Sequence, residues 1–168
     1  MFCIVSILNV LWLIVWQFEL FLPSLIIIIA YLTCLLLVYI HLQQTPCETK
    51  ADLITYTAFA AHAAWLFVAT IANALTVLAW MGVDLASQII AQILLIVVPC
   101  AFVFVFKKLA SGHDYSPYLV LAWAILGIGI KNSEFVLTFV LAIVMTVSSV
   151  LVTIPQVGEV LRKLIRNV

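Results

Sequence analysis

Six residues of one apolar stretch carry the side chains best suited to chemistry: His62, Trp65, Ala69, Asn73, Thr76 and Trp80. Counted from His62 they are offset by 3, 7, 11, 14 and 18 positions. At helical spacing they fall within about 60° of one another, on a single stripe. Imidazole, indole, amide and hydroxyl groups on one stripe do not face lipid, where unpaired polar atoms are costly. Two uses remain open for them. They can hold helices together by hydrogen bonds, at about 0.6–2 kcal/mol per contact. Alternatively, they can wall a ligand cavity, the indoles stacking on a flat molecule and His62 or Asn73 hydrogen-bonding to it.

The same types recur elsewhere. Asn9, Trp12 and Trp16 follow one another at spacings of 3 and 4. Trp16 suits an aromatic belt at the membrane interface, whereas Trp12 sits deeper. Gln88 and Gln92 lie one turn apart ahead of Pro99, a kink site. Trp123 precedes the pair Gly127 and Gly129. Alanines 58, 60, 61, 63 and 64 surround His62 and allow another backbone to approach closely.

Signals of catalysis are lacking. The run Gly127-Ile-Gly129-Ile-Lys131-Asn132 fails the dinucleotide pattern at its third glycine and follows no strand. The histidines at 41, 62 and 113 stand in separate segments without a His-x-x-x-His pair. No carboxylate lies within an apolar run, which argues against a proton-coupled carrier of the usual acidic type. Cys3, Cys34, Cys47 and Cys100 form no C-x-x-C pair or metal-like spacing and read as unpaired. The expectation is a protein that is not an enzyme and holds no metal or cofactor.

Elements that could position these residues follow from the charge distribution. Hydrophobic residues make up 67% of the 168-residue chain and charged ones 8%, against roughly 25% charged in a soluble domain. Residues 1–18, 20–47, 53–83, 85–106, 115–130 and 135–158 contain no Asp, Glu, Lys or Arg. A helix needs about 20 apolar residues to cross the hydrocarbon core. The fold class is therefore all-α: one polytopic transmembrane bundle over residues 1–155, with about six spans. The expected spans are 2–18, 20–42, 53–81, 85–106, 117–130 and 135–154. Pro155 is expected to end the last one, leaving 156–168 as a basic cytoplasmic tail on the membrane surface. The fifth span is short, and Tyr115 and Tyr118 are expected to extend it into the headgroup region. With six spans, Lys50, Lys107, Lys108, Arg162, Lys163 and Arg166 gather on one side and Lys131 alone on the other. That asymmetry places both termini in the cytoplasm.

A net charge of zero gives no reason to expect nucleic acid as a partner; the bilayer is the expected one. Residues after Met1 are apolar, with no basic stretch or small-residue cleavage pattern, so the first run reads as a retained helix rather than a signal peptide. Its abrupt start suggests a longer reading frame cut at this point.

Leu8-Asn9-Val10-Leu11-Trp12, Trp16-Gln17 and Pro23-Ser24 resemble the early part of tryptophan-rich sensory proteins related to the TspO/MBR translocator family. The segment Phe59-Ala-Ala-His62-Ala-Ala-Trp65-Leu-Phe-Val-Ala69-Thr-Ile-Ala-Asn73 is similar to that group's most distinctive stretch. Trp123-Ala-Ile-Leu-Gly127-Ile with Lys131-Asn132 looks like its later helix. Residues 8–132 are covered in order; the family's earlier Pro- and Trp-bearing motif has no counterpart. The resemblance implies a helical membrane bundle that binds a tetrapyrrole or sterol-like ligand between helices. It carries Asn9, Trp12, His62, Trp65, Asn73 and Trp123 over as ligand-binding residues. A small-solute transporter and an assembly protein without a ligand are the alternatives.

Overall fold

The computed structural model describes residues 2–45, 49–83, 90–91, 93–99, 101 and 115–166, all helices and turns with no strand among them. Helix α1 spans Phe2–Gln17, α2 Phe21–Gln43 and α3 Lys50–Trp80. Residues 90–91, 93–99 and 101 belong to α4, followed by α5, Ser116–Lys131, and α6, Val136–Arg166. Gln88, Gln92, Cys47, Cys100 and most of the expected 85–106 span and the loop after it lie outside the described residues.

Local chemistry sets the boundaries. α3 starts at Lys50, ahead of the expected 53, because Thr49 and Asp52 form a reciprocal capping box. The Asp52 amide donates to Thr49 Oγ1 at 3.1 Å, and the Thr49 amide donates to Asp52 Oδ2 at 2.8 Å, satisfying N–H groups that a helix start leaves open. After Trp80 the chain turns through Gly82 at φ 78°, a left-handed conformation open to a residue without Cβ. The α1–α2 turn instead uses Glu19 at φ 56°.

One expectation is corrected. Pro155 does not end the last helix; α6 runs through it to Arg166. Proline removes one N–H and crowds one carbonyl, here that of Leu151, a loss that membrane helices tolerate through local adjustment. Tyr118, near the start of α5, is only 4% exposed, because the face of α5 that bears it packs inward.

Neighbouring contacts fix the order of the bundle. α1 packs on α2, α2 on α3, α3 on α5 and α5 on α6. Ser24 meets Asn73, Tyr31 meets His62 and Leu42 meets Tyr56, so α2 and α3 run antiparallel. Ser116 Oγ donates to the Thr57 carbonyl, and Trp123 stacks near Trp65, so α5 runs parallel to α3. The Thr146–Ala122 hydrogen bond and the Ala142–Gly129 approach make α6 antiparallel to α5. The C-terminal ends of α1, α3 and α5 therefore share one end of the bundle. Lys50 and the end of α6 lie at the other.

Two cores form inside. Val5, Ile28, Tyr31, Leu35, Ala63 and Leu66 join α1, α2 and α3. Ala64, Val68, Ile96, Leu121, Ala124, Ile125 and Ala142 join α3 through α6. The outside is equally apolar: Ile26, Leu137 and Val136 are 64%, 66% and 72% exposed. Contiguous apolar exposure of that kind fits a lipid solvent. α2, α3 and α6 contain stretches of 23, 30 and 20 residues long and apolar enough to cross a membrane, whereas α1 and α5 contain shorter apolar helices.

Candidate functional site between α1, α3 and α5

α1 is held by α2, and α5 by α3 and α6, while α1 and α5 make no extensive contact with each other. A cleft stays open between them over α3. Small residues deepen it: Ala69 and Ala72 on α3, and Gly127 on α5, where a Cβ would meet nothing within 4 Å. The resulting cavity has a volume of about 580 Å³, within the usual range for a small-molecule site.

Four indoles line it: Trp12 and Trp16 from α1, Trp65 from α3 and Trp123 from α5. Trp65 and Trp123 stand 5.2 Å apart between ring centroids, tilted by 45°. Trp12 and Trp16 are 6.5 Å apart, and Trp16 packs edge-on against Phe21 at 5.6 Å. Trp65 and Trp123 are 41% and 65% exposed, so aromatic surface is available at the edge of the cleft. Leu95 of α4 adds an apolar wall.

Polar atoms in the lining are few. Asn73 is 1% exposed; its Nδ2 donates to Ser24 Oγ at 2.7 Å. Its Oδ1 and the Trp12 Nε1 are buried without a hydrogen-bond partner among the described residues. One unpaired acceptor and one unpaired donor thus belong to residues of the same cavity wall, where buried polar groups ordinarily find partners. Lys131 and Asn132 close the end at the C-terminus of α5. Among the described residues, Lys131 is the one charged residue of the lining.

Of the six residues expected to bind ligand, Trp12, Trp65, Asn73 and Trp123 come together here. His62 does not line this cavity. It turns to α2, where Nε2 lies 2.5 Å from Tyr31 Oη and the rings meet edge to face. Asn9 is half-buried on α1 and also lies outside the lining. The α3 stripe is thus divided: His62 and the Asn73 amide nitrogen hold α2, while Trp65, Ala69 and Asn73 face the cleft. Thr76 Oγ1 donates to the Ala72 carbonyl of its own helix at 2.9 Å, and Trp80 is 64% exposed. Trp16, Gly127 and Lys131 belong to the wall although sequence reasoning did not select them. The one-turn spacing of Trp16 from Trp12 was the available signal.

No group of three or more His, Cys, Asp or Glu side chains among the described residues is placed to hold a metal ion. Cys3 and Cys34 are free thiols.

A family model described as TSPO-like protein matches residues 1–154. The chain belongs to the TSPO-like protein family. It is an integral membrane protein of the TSPO type, in keeping with the apolar helices and the resemblance carried by Asn9, Trp12, His62, Trp65, Asn73 and Trp123. Neither a curated protein nor a solved structure matches it.

Proposed function

We propose that this TSPO-like protein binds a rigid apolar ligand, tetrapyrrole or sterol-like, in the cleft between α1, α3 and α5, and that its role is binding rather than turnover. The observation that carries this reading is the convergence of four indoles from three helices on one cavity of about 580 Å³. Aromatic faces favour a flat or rigid partner, which loses little conformational freedom on binding. The buried, unpaired Trp12 Nε1 and Asn73 Oδ1 would orient it. A purely structural role accounts for the Tyr31–His62 and Ser24–Asn73 pairs but leaves the indoles around an open cleft unexplained.

Melting of the detergent-solubilised protein with and without protoporphyrin tests this. A ligand that binds the folded state stabilises it by mass action, so the midpoint should rise as porphyrin is added, and a rigid sterol should compete. No shift with either compound would remove the reading.

A further inference from the structure

Lys131 lies in the last turn of α5, where a cation is favoured by the helix dipole. That accounts for its stability there, not for its place in the wall of an apolar cavity. The other described lining residues are uncharged. No ion pair of Lys131 is found among the described residues. Its neighbour Asn132 spends its amide on the Ile128 carbonyl at 2.8 Å. The indoles of Trp12, Trp65 and Trp123 lie toward the interior of the bundle from this end, because α1, α3 and α5 run in the same direction.

We propose that the cavity selects a rigid apolar acid: a ligand whose flat or fused-ring body lies among the indoles and whose carboxylate pairs with the Lys131 ammonium at the end of α5. An anion inside an apolar cleft without a counter-charge would lose its hydration uncompensated. At Lys131 the acid stays near water and gains a charge-assisted hydrogen bond. The inference rests on the binding reading above and narrows it, since a neutral sterol would leave the lysine unused.

Protoporphyrin and its dimethyl ester form a matched pair of probes, alike in ring and differing in charge. Their binding to the full-length protein in nonionic detergent is read by quenching of tryptophan fluorescence. Lys131→Met should weaken the acid by about fivefold and leave the ester unchanged; Lys131→Arg should retain the acid. Raising the salt concentration should weaken the acid in the parent but not in Lys131→Met. Gly127→Leu, which projects a side chain into open space in the cleft, should abolish binding of both probes. Equal loss of acid and ester in Lys131→Met, or no loss of either, overturns the assignment of the lysine while ligand binding stands. Failure of both probes to bind the parent, or binding unaffected by Gly127→Leu, overturns the cavity reading and the inference with it. Displacement of the acid by equimolar phosphatidylglycerol would reassign Lys131 to a lipid headgroup and overturn the rigid acid.

Discussion

His62 and Trp65 stand one turn apart on α3 and do different work. His62 is bonded to Tyr31, whose ring is 1% exposed. Replacing His62 with leucine leaves the Tyr31 hydroxyl buried without that partner, a cost of about 1–3 kcal/mol. His62→Leu should therefore lower the melting temperature without ligand and leave porphyrin quenching unchanged. A selective loss of quenching at full stability would instead put His62 in the site. Trp65 stacks on Trp123 at the cleft edge and strands no polar group when removed. Trp65→Ala should weaken porphyrin binding by about 1 kcal/mol, the value of one aromatic contact, with little effect on melting. A large ligand-free destabilisation would show that Trp65 serves the bundle.

Two glycines two residues apart on α5, and so on nearly opposite faces, make opposite predictions about how the helices meet. A Cβ at Gly129 would lie 2.5 Å from the Ala142 Cβ of α6, closer than two carbons can approach. Gly129→Ala should force α5 and α6 apart and cost about 1–3 kcal/mol, with partial recovery in the double variant carrying Ala142→Gly. At Gly127 nothing lies within 4 Å. Gly127→Ala should be neutral or stabilise by up to about 1 kcal/mol through helix propensity. Thermal melting of the two single variants decides the matter; equal effects would contradict the close α5–α6 approach. At the start of α3, Thr49→Ala removes the capping box and should cost about 1 kcal/mol, visible as faster hydrogen exchange at residues 50–53. Unchanged exchange there would show that packing alone holds that turn.

The whole bundle places Lys50 and the end of α6 opposite Lys131, the arrangement that the asymmetry of basic residues requires. With the Lys50 end in the cytoplasm, as the positive-inside rule directs, Glu134→Cys should react with an impermeant maleimide added to intact cells, and Thr45→Cys should not. Both are measured in a background lacking the native cysteines. Labelling of Thr45→Cys alone would invert the protein in its membrane, and equal labelling would contradict an even number of crossings. α5 has 16 residues, about 24 Å at helical rise, against a core of about 30 Å. Its crossing depends on local thinning or on polar ends reaching the interface, and Lys131 is suited to the latter.

Charge-free runs, turn residues and the pattern of basic residues made the membrane class and most helix positions readable from composition, because lipid tolerates few charges and only internally bonded backbone. That Trp12, Trp65, Asn73 and Trp123 share one cavity wall was only hinted at, by their recurrence inside apolar runs and by the family resemblance. Which neighbour each one meets was not readable. His62 and Trp65 lie on the same predicted stripe, yet one faces α2 and the other the cleft, since a stripe about 60° wide on a helix touches more than one partner. Trp16 matched an interfacial belt equally well by position. Only the packing of α1 on α2, away from α5, turned it toward the cavity. The continuation of α6 through Pro155 was likewise not legible from the proline itself, since a membrane helix tolerates one lost amide. A cleft is a property of elements that do not touch, and periodicity within one helix carries no information about a gap between two.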